Sequence, residues 1–210
     1  GSSCIYPKFA KQPLREEYLL TNSLEPTNEW YAIAKITGIK ACQSIRKQYN
    51  KNFVSLMPTN LYGSFDNFDL ESSHVIPAMI RKFHEAKLND NAAVKLWGSG
   101  TPKREFLFVD DLAEAVVFAL ENSLPEHLYN VGTGNDISIM QLAKMIQSVT
   151  EHQGKILWDS TKPDGTPRKL MDVSKMKKLG WEYSTELEHG IKKTYEWFLE
   201  NKSSIKENKL

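Results

Sequence analysis

Cysteine is scarce: only Cys4 and Cys42 occur, far apart and without the CxxC spacing of a metal-ligand set. That pattern argues against a disulfide scaffold and against zinc, so no metal is expected and a reducing cytoplasm is the expected compartment. No apolar run approaches the ~20 residues of a membrane span. The opening GSSCIYPKFAKQP has no basic stretch followed by a long apolar core, so it does not read as a secretory signal. An excess of one charge is missing too, since 27 Lys and Arg face 26 Asp and Glu. Such a balance creates no global field for nucleic acid, and an anionic ligand must be held by a local basic cluster. Also absent is a Gly-rich strand–turn–helix fingerprint for a dinucleotide. Gly132-Thr133-Gly134 follows a strand-like run but lacks a third glycine and an acidic residue further on.

What is present reads as an ordinary soluble α/β chain, long enough for one sizeable core or a core with a smaller lobe. Ile33, Ile36, Ile39 and Ile45 recur at near-helical spacing, predicting a helix over Pro26–Asn50. A short β-rich run, Asn52–Met57, follows and stops at Pro58 and Asn60. Helices are expected over His74–Lys87 and Asp110–Asn122, and strands over Ala93–Trp97, Glu105–Val109, His127–Val131 and Lys155–Trp158. Ser138…Gln141 and Thr185…Glu188 have the spacing of capping boxes, the second opening a helix to about Asn201. Strands alternating with helices argue for a parallel sheet. Cys42, in mid-helix, is expected in the core. His84, His127, His152 and His189 lack an evident chemical partner and are expected at the surface.

The chemistry begins at Tyr31-Ala32-Ile33-Ala34-Lys35, a YxxxK on the first predicted helix. Residues i and i+4 share a helix face. A lysine ammonium there favours the phenolate of its neighbour, which can then exchange a proton with a carbonyl or alcohol oxygen. An exposed, inert i,i+4 pair has the same spelling, so context decides. Ser2 lies 29 residues before Tyr31, Glu25-Pro26-Thr27-Asn28 precedes the helix, and Pro58-Thr59-Asn60-Leu61-Tyr62-Gly63 ends the next strand.

This Ser…YxxxK…PxNxYG series resembles the extended short-chain dehydrogenases/reductases. The segments SSCIYP, EPTNEWYAIAK, MPTNLYG, DNF, SHVIPA, WGSGTPKREF, VDD, NVGTG and KPDGTPRKLMDV, in that order, are similar to those of the GDP-L-fucose synthases. The resemblance implies the back half of a Rossmann-like doubly wound parallel sheet plus a smaller α/β substrate lobe. It places 1–63 in the NADP-binding domain with 105–134 returning to it, 64–104 and 135–201 in the GDP-sugar lobe, and 202–210 in a polar tail. It implies NADPH-dependent conversion of GDP-4-keto-6-deoxy-mannose to GDP-L-fucose, by 3,5-epimerisation and then reduction of the C4 ketone.

Carried over position by position, it assigns Ser2 and Tyr31 to the ketone oxygen. Lys35 goes to the tyrosine and the nicotinamide ribose, and Pro58, Asn60 and Leu61 to the nicotinamide, with His74 also beside the cofactor. Cys4 and His74 become the acid–base pair for C3 and C5, whose protons are acidic because the C4 ketone delocalises the charge. A thiol and an imidazole both exchange protons near neutral pH. Lys82, Trp97, Arg104 and Lys169 are assigned to the GDP group, Lys82 standing where relatives carry arginine; Asp164 and Arg168 shape the same loop. The resemblance further implies a homodimer, NADP(H) as cofactor, and roughly a hundred residues of Rossmann repeats ahead of Gly1, supplied in cis or in trans. Two other readings stay open: another nucleotide-sugar epimerase or dehydratase, and a module that binds nucleotide sugar without catalysis.

Overall fold

The computed structural model describes residues 1–203; the remainder of the polar tail lies outside the described residues. In chain order the helices are α1 (Glu29–Tyr49), α2 (Val75–Leu88), α3 (Val109–Glu121), α4 (Ile139–Thr150), α5 (Ser174–Lys178) and α6 (Leu187–Asn201). The strands are β1 (Ser55–Pro58), β2 (Asn60–Tyr62), β3 (Val94–Trp97), β4 (Lys103–Arg104), β5 (Phe106–Phe108), β6 (Leu128–Val131), β7 (Ile137–Ser138), β8 (Ile156–Asp159) and β9 (Arg168–Lys169). The chain divides into two units, one of Gly1–Leu61, Arg104–Asp136 and Arg168–Ser184, the other of Tyr62–Lys103, Ile137–Pro167 and the residues from Thr185 onward.

In the first unit β1 runs parallel to β6, Ser55 opposite Leu128 and Pro58 opposite Val131. Every residue of β6 is buried, as expected of a strand covered on both faces. One core cluster joins Ile5, Ile36, Ile39, Met57, Leu128 and Met171. A second joins Leu107, Ala115, Leu124, Tyr129, Met176 and Trp181. Each fully buried Ile, Leu or Met side chain among them contributes about 1.5–3 kcal/mol relative to exposure. Segment 168–184, expected with the sugar lobe, packs here instead: the Leu14 N–H donates to Leu170 O at 2.7 Å and Asp172 N returns to Leu14 O at 2.8 Å.

In the second unit β3 runs parallel to β8, Val94 opposite Ile156. Phe68, Ile76, Ile80, Phe83, Leu142 and Ile146 are fully buried around it. The α4 capping box forms as its spacing predicts, with Ser138 Oγ accepting from Gln141 N and Gln141 Oε1 from Ser138 N, each at 3.1 Å.

Three boundaries differ from expectation. Residues 26–28 form a 3-10 turn before α1. Asn52 and Phe53 are not strand, because Arg46 Nη1 donates to Asn52 Oδ1 at 2.8 Å and ties them into a link between α1 and β1. At α6 the N-cap is Glu186, one residue after the Thr185 expected to open the helix, and the Glu186 side chain makes no cap bond. Ser184, just before it, is held by Asp111 through its N–H and hydroxyl.

Two histidines expected at the surface are core residues. His152 lies between Ala92 O (2.8 Å) and Gln147 Nε2 (3.3 Å). His84 pairs through Nδ1 with the Tyr195 hydroxyl at 3.0 Å, while its Nε2 is buried without a hydrogen-bond partner. Burial, aided by the Lys202 charge, pushes the His84 imidazole below its ordinary 6.5. The unfolded chain therefore takes up a proton that the folded chain resists. The His84 contribution to stability is intact above pH 6.5 and is lost as pH falls below it. Urea midpoints at pH 7.5 and 5.5 are expected to differ less in His84→Phe than in the parent; an equal difference would show that another group carries the slope.

Candidate active site

The Ser2–Ile5 stretch is a 3-10 turn with Ser2 at its N-cap, and Ser2 Oγ accepts the Cys4 N–H at 3.3 Å. Serine favours this place because its hydroxyl replaces a missing backbone partner. The bond holds a hydroxyl and a thiol two residues apart, both half-buried. Ile5 and Tyr6 anchor the turn in the first core.

Asn28 Nδ2 lies 3.3 Å from Cys4 Sγ and Lys169 Nζ 3.5 Å from the same sulfur. Lys169 is assigned by resemblance to the GDP group; its ammonium reaches the thiol. Tyr31 and Lys35 sit on the opening turns of α1, with Lys35 Nζ 5.3 Å from the Tyr31 ring centre and Tyr31 half exposed at 49%. Gly38, Ile39 and Cys42 continue that helix along an open cavity of about 910 Å³, whose other walls include Lys35, Pro58 and Leu61. Cys42, expected in the core, is thus half-buried on a cavity wall.

The residue that organises this unit was not among the sequence candidates. Glu105 is fully buried, and its Oε1 accepts from Thr133 N at 2.7 Å and Gly134 N at 2.8 Å. Its Oε2 accepts from Met171 N at 2.8 Å. Its main-chain carbonyl takes the Asn60 amide at 2.7 Å and the Thr59 hydroxyl at 3.2 Å. Burial pushes this carboxyl up, and the three N–H donors only partly offset it. A Cβ on Gly132 would strike the Glu105 carboxylate, which is why a glycine stands there. The GTG turn therefore directs its donors at a carboxylate within the protein, consistent with its poor match to a dinucleotide fingerprint. The one outward sign of Glu105 in the sequence is an acidic residue at the head of the apolar run Phe106–Val109.

The remaining candidates separate by unit. Arg104 is half-buried in the first, its guanidinium lowered by burial. Arg168 pairs there with Asp136. In the second unit, His74 is the N-cap of α2 and exposed, with no side-chain cap bond. Burial raises the Asp66 carboxyl, and the Asn67 N–H and nearby His74 only partly offset it. Lys82 is half-buried on α2. Trp97 ends β3 with 69% of its surface exposed and Lys162 Nζ 5.5 Å from its ring centre. Asp164 accepts from Ser99 N at 2.6 Å and Ser99 Oγ at 2.8 Å, which fixes the turn beside Trp97. Gly98 in that turn has φ +76°, and a Cβ there would meet the Asp164 carboxylate. Among the described residues no three His, Cys, Asp or Glu side chains gather as a metal site, and no helix is long and apolar enough to cross a membrane.

A parallel α/β sheet with a Ser and YxxxK constellation defines a class, and the chain belongs to the NAD-dependent epimerase/dehydratase family, whose pattern matches residues 1–132. Within that class it is 57% identical over 202 residues to a GDP-L-fucose synthase of Sinorhizobium fredii, covering 96% of this chain and 64% of the relative. It is 53% identical over 216 residues to the GDP-L-fucose synthase of Escherichia coli, covering 98% of this chain and 67% of the relative. Among solved structures it superposes on a GDP-L-fucose synthetase from Naegleria fowleri bound to NADP, with TM-score 0.90, 31% identity, and coverage of 98% and 66%. The chain spans about three fifths of the length of the curated relatives it matches.

Proposed function

We propose that this chain carries the catalytic and sugar-nucleotide-binding part of a GDP-L-fucose synthase, acting on GDP-4-keto-6-deoxy-mannose. The observation that supports this reading is the Ser2-capped turn, in which a hydroxyl and a thiol are held two residues apart. Ser2 and Tyr31 hydrogen-bond the C4 oxygen of the sugar, so the enolate formed at C3 or C5 is stabilised by the same donors that later serve the reduction. Cys4 and His74 serve as the acid–base pair for C3 and C5. Tyr31, beside Lys35, delivers a proton to the C4 oxygen.

NADP(H), when bound, supplies the hydride. The residues fit its nicotinamide end: Lys35 for the ribose hydroxyls, with Pro58 and Leu61 on the same cavity wall and Asn60 oriented by Glu105. They do not fit its diphosphate, because the GTG donors are turned onto Glu105. The remaining two fifths of the relatives' length, in cis or in trans, supplies that part. The first unit is then the nucleotide-binding and catalytic domain, and the second, with Lys82 and Trp97, the GDP-sugar lobe; Arg104 and Lys169 belong by resemblance to the same set of GDP-binding residues. The assembly is a cytoplasmic homodimer.

Incubation with the keto-sugar in deuterated water, without NADPH, is expected to place deuterium at C3 and C5, read by mass and proton spectra. Absence of exchange at both carbons would overturn the epimerase reading and leave a reductase or a nucleotide-sugar binder.

A further inference from the structure

We infer that Asn28 and Lys169 are positioning residues that hold negative charge on the Cys4 sulfur. The inference deepens the reading of Cys4 as a proton-transfer group and rests on it for its catalytic meaning.

Asn28 occupies the N-cap of α1, where an asparagine side chain ordinarily accepts a backbone N–H of the first turn. Here it makes no cap bond. Its amide nitrogen is turned onto Cys4 Sγ at 3.3 Å, and its Oδ1 is buried without a hydrogen-bond partner. Forgoing a cap costs about 1 kcal/mol, so the diversion has a local energetic disadvantage. The amide orientation follows from the donor inventory. Reversing it would turn the carbonyl to the sulfur and leave an NH₂ with two donors where one acceptor oxygen is now unpaired. Lys169 Nζ, a donor only, reaches the same sulfur at 3.5 Å from a different segment of the same unit. Two N–H groups thus converge on one sulfur. A neutral thiol is a weak acceptor, whereas a thiolate beside an ammonium and an amide is stabilised by both.

The test uses iodoacetamide on the whole chain, with Cys42, half-buried on α1, as reference in the same molecule. The thiolate displaces iodide from carbon, forming the S–C bond and releasing iodide, so the rate follows the anionic fraction. Site-resolved mass spectrometry at pH 7 is expected to show Cys4 slowed by about threefold or more in Asn28→Ala and in Lys169→Met. Asn28→Asp, which replaces the donor by a second anion, is expected to be slowed as well, and Lys169→Arg to restore the parent rate, with Cys42 constant throughout. Unchanged Cys4 rates would overturn the inference. So would equal changes at both cysteines, which would mean loosened packing. No sugar is present, so a chain that fails to exchange C3 and C5 protons yet shows this contrast would refute the function and leave the thiolate cradle standing.

Discussion

Replacing His74 by Asn, or Cys4 by Ser, is expected to lower formation of the epimerised sugar by about a hundredfold or more, the usual consequence of losing a general acid or base. The two variants are expected to differ in kind. Inversion needs one group to remove a proton and another to return one on the opposite face. A chain that lacks the base stops exchanging at C3 and C5. A chain that lacks the acid still exchanges from the side of the base, without inversion. Comparing deuterium wash-in with the yield of inverted product therefore assigns the roles. Both substitutions leave the scaffold in place. The turn at Cys4 is held by its main-chain N–H on Ser2, and α2 draws no cap from the His74 side chain. Unchanged epimerisation in either variant removes that residue from the pair.

Glu105→Ala is expected to destabilise the chain by about 4 kcal/mol, among the largest single-residue losses a fold of this kind shows. Two buried backbone N–H groups, of Thr133 and Met171, and the half-buried one of Gly134 lose their acceptor together. An unsatisfied buried donor costs about 1–3 kcal/mol. Glu105→Gln keeps the shape but sets an NH₂ against one of those donors, and about 2 kcal/mol is expected. Urea midpoints at constant slope measure both. Because burial raises the Glu105 carboxyl above its ordinary 4.5, the folded chain keeps that proton longer than the unfolded one. The favourable contribution is complete below pH 4.5 and is lost as pH rises through the folded value. Glu16, also raised by burial, slopes the same way, so Glu105→Gln is expected to flatten only part of the curve. A Glu105→Ala variant as stable as the parent would show that the GTG loop and Met171 find other acceptors.

Much of the architecture was legible because periodicity reports burial. Ile36 and Ile39 of α1 read correctly, as do Leu128, Tyr129 and Val131 of β6, since each is apolar where it meets the core; Ile33 shares the spacing but is 44% exposed. The Ser138 cap was legible because its partner lies three residues away. What escaped depends on distant partners. His84 meets a tyrosine 111 positions along the chain, and nothing beside it shows the hydroxyl that admits it to the core. Glu105 meets donors 28 and 66 positions away. Asn28 was visible as part of EPTN, but its turn toward a sulfur 24 residues earlier was not. Tyr31 and Lys35 were visible because YxxxK spacing is a local fact, whereas Ser2, 29 residues earlier, became a candidate only through the ordered series of segments that resembles the family.

Strand β1 bonds β6 through its odd-numbered residues, for Ser55 N donates to His127 O and Thr59 N to Val131 O. Leu56 and Pro58 therefore face the strand's other edge, which has no partner strand among the described residues. Proline brings no N–H, so Leu56 alone offers a donor within that strand. An incoming strand would find one rung with both groups and then only a carbonyl. Such an edge is a poor template for fibril growth. Whatever covers it must be held mainly by the greasy wall of Ile39, Leu112, Val116 and Leu120 beside it. Its grip is governed by shape and oil, and is expected to weaken with cooling more than a ladder of hydrogen bonds would.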